Sequence, residues 1–191
     1  MESWVWIVIA LAVVALAVIG WLAWSNMRTR RLRTTFGSEY DRAVDEAPSQ
    51  REAESALDER RKRREELDIR PLSEESRSRY ADNWRAVQAR FVDDPVDAVN
   101  DADRLVERVM AERGYPMDDF DGQADLISVD YPEVVENYRS AHGIHGAYDR
   151  GDASTEDLRQ AMVHYRSLFV ELLDLSGAEA EATTTSRMEA R

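Results

Sequence analysis

The strongest hydrophobic pattern of the chain lies near its N-terminus, where residues 4–24 read WVWIVIALAVVALAVIGWLAW. These twenty-one residues include no charged side chain and no Asn, Gln or Pro. A helix of this length rises roughly 30 Å, which matches the hydrocarbon thickness of a bilayer, whereas a core helix of a globular protein keeps a polar face. The pattern therefore predicts a transmembrane helix over 4–24, after a short N-terminal tail over 1–3.

The residues that flank this segment predict its orientation. Tryptophan lies at both ends, as expected for indole rings that prefer the headgroup region, and arginines follow closely on the C-terminal side. Because an excess of basic residues marks the cytoplasmic side, we expect a single-pass protein of the inner (plasma) membrane with its N-terminus outside and its remaining domain in the cytoplasm. The expected membrane-interface anchors are Trp4, Trp6, Trp21, Trp24, Arg28, Arg30, Arg31 and Arg33.

A cleaved signal peptide is the alternative interpretation, since Ala23 and Ser25 are small residues that can precede a cleavage site. The absence of a basic side chain in residues 1–3 and the length of the apolar segment argue against it.

The next part of the chain is polar and highly charged. Residues 25–37 form a basic connector, and residues 38–68 are expected to form a charged helical spacer, interrupted at Pro48 and resembling a weak coiled-coil strand. A capping-box pattern at Ser49 and Glu52 opens its second helix, which lacks a pronounced apolar face. The basic run over 60–64 is bracketed by acids, so a solvated spacer is favoured over a patch that binds lipid or acidic groups.

Residues 73–175 carry four apolar stripes with helical spacing, on helices predicted over 73–93, 95–114, 132–150 and 155–175. Residues 115–131 are expected to be a loop with one short helix. No alternating strand pattern occurs, so the predicted fold is all-α: a transmembrane helix, a charged helical spacer and a small helical bundle. A disordered tail is expected over 176–191. The expected core residues are Tyr80, Trp84, Val87, Phe91, Tyr138, Tyr165 and Phe169.

Composition narrows the classes of function. The net charge is −13 although the segment after the apolar run is basic, so the part beyond it is strongly acidic and is not expected to bind nucleic acid. The chain has no cysteine, which excludes disulfides, thiolate metal sites and cysteine nucleophiles. No phosphate-binding, dinucleotide-binding or hydrolase motif occurs, so we expect neither an enzyme nor a cofactor.

Three histidines are the one candidate for metal chemistry. His142 and His145 lie three residues apart on one side of a predicted helix, and His164 on the next helix could join them with Glu136 or Asp149. Packed or boundary histidines are the favoured interpretation. Asp118, Asp119 and Asp121 do not match a calcium-binding loop and are expected to cap a helix and face solvent.

Gly143 and Gly146 fall inside a predicted helix, where each costs roughly 1 kcal/mol relative to Ala. We therefore expect another helix to approach closely at these positions, either the helix predicted over 155–175 or a helix of a second copy of the chain.

Four segments carry a resemblance to known sequences: FGSEYDRAV over 36–44, RFVDDP over 90–95, DYPEVVENYRSAH over 130–142 and STEDLRQAMVHYRSLF over 154–169. With them, most of residues 28–173 resembles a bacterial family of uncharacterised single-pass membrane proteins, some of which are called secreted. The resemblance implies a bacterial source and a membrane location. It assigns no catalytic residue.

The sequence thus favours a membrane-anchored, non-catalytic adaptor whose acidic helical domain binds a protein partner or a second copy of itself. The lipid bilayer is the other expected partner. Two alternatives stay open: a metal-binding or enzymatic domain that uses the three histidines, and an extracytoplasmic protein of the cell envelope.

Overall fold

The computed structural model describes residues 2–173, except for the side chains of residues 2, 3, 5, 7–10, 12, 14, 22 and 149. The tail predicted over 176–191 lies outside the described residues. The described chain forms eight helices and contains no strand, which confirms the predicted all-α fold. The helices are α1 (Glu2–Phe36), α2 (Ser38–Glu46), α3 (Gln50–Glu65), α4 (Glu74–Arg90), α5 (Pro95–Arg113), α6 (Phe120–Asp130), α7 (Val135–Asp149) and α8 (Thr155–Leu172).

α1 is longer than the predicted apolar segment. The connector predicted over 25–37 is helical as far as Phe36, because no Gly or Pro interrupts residues 21–36. The helix ends at Gly37, whose φ of 51° and ψ of −126° suit glycine and few other residues. The polar composition of this segment therefore does not mark a loop.

Of the helices formed by the described residues, none is both long enough and apolar enough to cross a membrane. Eight of the side chains in the segment 4–24 lie outside the described residues. The transmembrane helix over 4–24 stays a prediction.

The chain divides into two compact units, residues 1–58 and residues 59–191, so the division falls within α3. In the first unit, α2 packs against α1. The charged helix expected to lack a core face does bury one there, since Ala53, Glu54 and Leu57 of α3 are all less than one-tenth exposed. The apolar side chains buried in this unit are Leu32, Phe36, Tyr40, Ala43, Ala53 and Leu57.

The second unit is a bundle of α4 to α8 around a single apolar core. α5 contacts α4, α7 and α8, and its Val99, Leu105 and Val109 are fully buried. Trp84 of α4 stacks on Phe169 of α8 with ring centroids 4.7 Å apart. Of the seven residues expected in the core, Phe91 is partly buried against this cluster, and six lie within it: Tyr80, Trp84, Val87, Tyr138, Tyr165 and Phe169.

Local signals set the ends of the bundle helices. The side chains of Ser73 and Asp94 accept hydrogen bonds from first-turn amides of α4 and α5, and Pro95 opens α5, where its missing N–H costs nothing. Ser154 and Asp157 form a reciprocal capping box at the start of α8. In the region 115–131, predicted to be a loop with one short helix, Asp119 caps α6. The helix predicted over 132–150 begins later than expected, at Val135, three residues after Pro132.

The last turns of α3 are attached to α6 by ion pairs. Arg60 contacts Asp125 at 2.8 Å, and Arg64 contacts Asp130, which also accepts a hydrogen bond from the Tyr115 hydroxyl. Each of these four charged side chains is about a quarter exposed or less. Most basic side chains of the run over 60–64, which was expected to be solvated, therefore form ion pairs with acidic residues of the same unit.

The glycines of α7 do not mark a close contact with another helix of the same chain, so that part of the expectation is wrong. A Cβ placed on Gly143 would meet nothing within 4 Å, and one on Gly146 would meet only a guanidinium nitrogen of Arg150 at 3.4 Å. Gly114, by contrast, requires glycine: its φ is +101°, and a Cβ would lie 2.7 Å from the carbonyl oxygen of Asp68. Next to it, the Arg70 amide donates to the Arg113 carbonyl at 2.9 Å, which holds the two segments together.

Alanine at Gly114 and alanine at Gly143 should therefore have opposite effects on the free energy of unfolding. Gly114→Ala should lower the free energy of unfolding by at least about 1–2 kcal/mol, because it forces an L-residue into the left-handed region against a carbonyl. Gly143→Ala should raise it by about 0.5–1 kcal/mol, because the helix gains propensity and the added methyl meets nothing. Urea unfolding of the full chain measures both, followed by fluorescence in a background where the other four tryptophans are replaced by phenylalanine so that only the buried Trp84 reports. Equal effects would contradict this assignment.

Candidate functional site

The three histidines do not come together. His142 is exposed and stacks on Phe120 with ring centroids 3.7 Å apart, while Nδ1 of His164 lies 2.9 Å from the side-chain oxygen of Asn137. His145 is half-buried. Among the described side chains, His, Asp and Glu form no group of three or more that could hold a metal ion. The side chain of Asp149, one of the ligands considered from the sequence, lies outside the described residues.

The acidic cluster at the start of α6 has a structural role. The Asp119 carboxylate accepts a hydrogen bond from the Gly122 amide at 2.7 Å, which is the arrangement of a helix cap. This is the role expected from the sequence for the group of Asp118, Asp119 and Asp121.

The interior of the bundle holds a polar cluster. The Tyr138 hydroxyl donates to the side-chain oxygen of Gln123 at 3.0 Å. Burial, followed by the negative charges of Asp103 and Glu107, raises the pKa of Tyr138 and of Tyr165 far above the ordinary value. Both phenols therefore stay protonated at physiological pH and are not suited to act as bases or nucleophiles.

The expected membrane-interface anchors lie on α1 in two environments. Trp4, Trp6, Trp21 and Trp24 are each more than three-fifths exposed. Arg30 and Arg31 are exposed as well. We refer to Arg28, Arg30, Arg31 and Arg33 as the arginine collar.

Two members of the arginine collar are engaged within the first unit. Arg28 forms an ion pair with Asp58 at 2.7 Å and donates to the backbone carbonyl of Glu54 at 3.3 Å. Arg33 lies over the ring of Tyr40, 5.0 Å from its centroid, and 3.7 Å from Asp41. The collar thus holds α1 to α2 and α3 in addition to any role at a membrane surface.

Glu54 is the centre of this arrangement. Its Oε1 accepts three hydrogen bonds: from the hydroxyl of Thr29 at 2.7 Å, the amide of Gln50 at 2.8 Å and the hydroxyl of Tyr40 at 2.9 Å. Burial alone would raise the pKa of Glu54, but these hydrogen bonds and the charge of Arg28 outweigh burial, so the pKa lies below its ordinary value. The same contact and burial raise the pKa of Tyr40.

Little in the sequence indicates this hydrogen-bond network. Glu54 stands in a segment where most residues are charged, and its donors come from positions up to 25 residues away. The one available signal was that Glu54 lies between two small or apolar residues, Ala53 and Leu57, that share its side of the helix.

Comparison with protein-family models, curated proteins and solved structures finds no match to this chain.

Removal of the Glu54 carboxylate should destabilise the first unit. Glu54→Ala leaves the Thr29, Tyr40 and Gln50 donors without their acceptor, which should cost about 1–3 kcal/mol. Hydrogen exchange of the α2 amides in the full chain measures the loss. Glu59→Ala is the matched control, because Glu59 is exposed on the same helix. Equal loss of protection in both variants would contradict a special role for Glu54.

The stabilisation that the Glu54 carboxylate gives to the first unit should also depend on pH. Because the pKa of Glu54 is depressed in the folded chain, its contribution is fully present above the ordinary value of about 4.3 and is lost as the pH falls through the folded value. The difference in protection between the wild type and Glu54→Ala should therefore shrink in acid.

Proposed function

We propose that this chain is a single-pass membrane protein, anchored by residues 4–24, whose acidic helical bundle acts as a non-catalytic adaptor for a protein partner. The proposal includes membership of the bacterial single-pass family that the sequence resembles. Its N-terminus lies outside the cell and its bundle in the cytoplasm.

One observation carries the anchoring. Residues 15–21 of α1, which read ALAVIGW, are all exposed, and seven consecutive residues cover about two full turns of a helix. Side chains of Leu16, Val18 and Ile19 are between about one-half and two-thirds exposed. A helix that is apolar all round is stable only when a membrane or another protein covers it.

The charges at the end of this segment support the orientation. Arg30 and Arg31 are exposed immediately beyond the apolar run and can face the anionic lipid headgroups of the inner leaflet. The acidic remainder of the chain is repelled by the same surface. Together these charges favour a bundle that stands away from the membrane surface, where a partner can reach it.

The adaptor role follows from tethering. A domain held to a membrane by a short connection meets membrane-associated partners at a raised effective concentration, without any additional contact. The bundle brings an acidic surface, which favours a partner with a basic or neutral surface.

A charge in the apolar segment should release the chain from membranes. Arg in place of Leu16 costs about 2.5–3.5 kcal/mol at the centre of a membrane helix. We expect Leu16→Arg to reduce the fraction of the chain that resists alkaline extraction of cell membranes. Asn26→Arg, beyond the apolar run, is the matched control and should leave this fraction unchanged.

A wild-type chain that is extracted completely would contradict the anchor. The orientation is read from fusions to the C-terminus: a fluorescent protein that folds only in the cytoplasm should be bright, and alkaline phosphatase should be inactive. Active alkaline phosphatase would support the extracytoplasmic alternative instead.

The adaptor role predicts a defined protein partner. Cross-linking in cells, followed by purification from membranes, should enrich the same protein with the full chain in repeated experiments, and a chain of residues 1–58 should not enrich it. Recovery of the full chain with a stoichiometric metal ion and no enriched protein would contradict the adaptor role.

A further inference from the structure

A pocket of about 250 Å³ lies in the second unit, between the end of α3 and the start of α6. The segment that joins α5 to α6 contributes the rest of its lining. Pockets for whole small molecules usually enclose roughly 300–1,000 Å³, so this pocket is better suited to a single side chain of a partner. The lining residues are Arg63, Glu66, Leu67, Pro116, Asp118, Asp119, Gly122, Gln123 and Leu126.

Part of the lining is apolar and belongs to the packed bundle. Leu126 is buried in the core, while Leu67 and Pro116 are half-buried. An apolar surface of this size suits the methylene stem of a long side chain, which buries apolar area while its polar head stays near water. The pocket therefore favours an amphipathic side chain over a purely polar one.

The acidic residues of the lining leave two carboxylates available. Glu66 and Asp118 are exposed, and neither side chain has a hydrogen bond or an ion pair within the described part of the chain. The Asp119 carboxylate is engaged, because it accepts the Gly122 amide and so compensates the positive end of the α6 dipole. A cationic group in the pocket would therefore meet two carboxylates that have no other partner.

Arg63 is the basic residue of the lining, and it does not neutralise these two carboxylates. It forms no ion pair with Glu66 or Asp118, and its guanidinium lies 3.7 Å from Asp125 instead. The Arg63 side chain is 57% exposed, so it can stay in water when the pocket is filled. Three carboxylates and one guanidinium leave the lining with a net charge of −2.

Gln123 supplies an independent sign of a ligand. The residue is only 5% exposed, and its Oε1 accepts the Tyr138 hydroxyl at 3.0 Å. Its side-chain nitrogen has no hydrogen-bond partner among the described residues, but unlike the unpaired Tyr165 hydroxyl it is not sealed from solvent. Because Gln123 lines the pocket, this nearly buried donor is available to an acceptor that enters there, such as a main-chain carbonyl.

We propose that the bundle binds its protein partner at this pocket, which receives one arginine side chain of that partner. The guanidinium pairs with Glu66 and Asp118, the methylene stem packs on the apolar lining, and the Gln123 amide donates to a main-chain carbonyl of the partner. Arginine suits the site better than lysine, because its planar group presents several fixed N–H donors to two carboxylates. This inference rests on the adaptor role proposed above.

The test uses the nitrogen-15-labelled full chain in detergent micelles and a tripeptide of alanine, arginine and alanine with both termini blocked. The NMR signals of the Gln123 side-chain amide report on the pocket directly. We expect the tripeptide to shift these signals until they saturate. The same tripeptide with citrulline in place of arginine keeps the shape but lacks the charge, and it should bind about fivefold more weakly.

Asp118→Asn should weaken binding of the arginine tripeptide about fivefold, because it removes one of the two available carboxylates and keeps the size of the side chain. Asp121→Asn is the matched control, since Asp121 is exposed nearby in the first turn of α6 but does not line the pocket. It should leave the affinity unchanged. Equal losses in the two variants would show that general negative charge attracts the peptide and would overturn the proposal, as would Gln123 signals that do not shift.

Two other occupants are separated by further variants. If replacing both Arg187 and Arg191 by Gln raises the affinity for the tripeptide, an arginine of the chain's own C-terminal segment competes for the pocket, and the partner proposal is wrong. If the wild type forms a dimer that Asp118→Asn dissociates, the occupant is a second copy of the chain, and the proposal is wrong as well.

The cross-linking experiment in cells separates this inference from the adaptor role. A variant with both Asp118→Asn and Glu66→Gln should lose the protein that the wild type enriches, whereas Asp121→Asn should retain it. Unchanged enrichment by the double variant would overturn the pocket proposal and leave the adaptor role standing. If the wild type binds the tripeptide but enriches no protein, the adaptor role is wrong and the partner proposed here fails with it.

Discussion

The exposure of apolar side chains around the circumference of α1 over residues 15–21 is the constraint on which the rest of this protein depends. Over residues 15–21 no polar side chain interrupts the surface, so no face of the helix is suited to water. Burial of apolar area is worth about 25 cal/mol per Å², and a helix with several half-exposed aliphatic and indole side chains therefore gains much free energy when a non-aqueous environment covers it. A bilayer provides that environment on all sides at once, whereas a protein groove covers one side.

The residues that follow the apolar segment of α1 serve both the proposed contact with the membrane and the packing of the first unit. The arginine collar supplies the basic charge expected next to an inner leaflet, but Arg28 and Arg33 also pair with acids and aromatic rings of the same unit. Glu54 gathers donors from α1, α2 and α3 on one oxygen, so the three helices are joined at the point where the chain would leave the membrane.

Much of the bundle was predictable because its signals are local. Each signal spans only a few residues, and the structure has a helix at each one. The signals are the apolar stripes with Trp84 and Phe169, Pro95 at the start of α5 and the capping box at Ser154. Contacts between distant residues were not predictable, as the pairing of Arg64 with Asp130 across 66 positions illustrates. The polar composition of residues 25–37 suggested a connector, although no Gly or Pro before Gly37 interrupts a helix there. Gly143 was expected at a helix contact, yet nothing else in the same chain lies within 4 Å of its Cβ position.

The central claim is that the two ends of the apolar segment lie at the two headgroup regions of a bilayer. Four of the five indoles mark these ends, while Trp84 is 6% exposed in the bundle core and serves as an internal reference. Quenching of tryptophan fluorescence by lipids brominated at different depths tests the claim in vesicles that contain the full chain. Bromines near the headgroups should quench strongly and bromines at the bilayer centre weakly. Quenching that is absent at every depth would contradict the account.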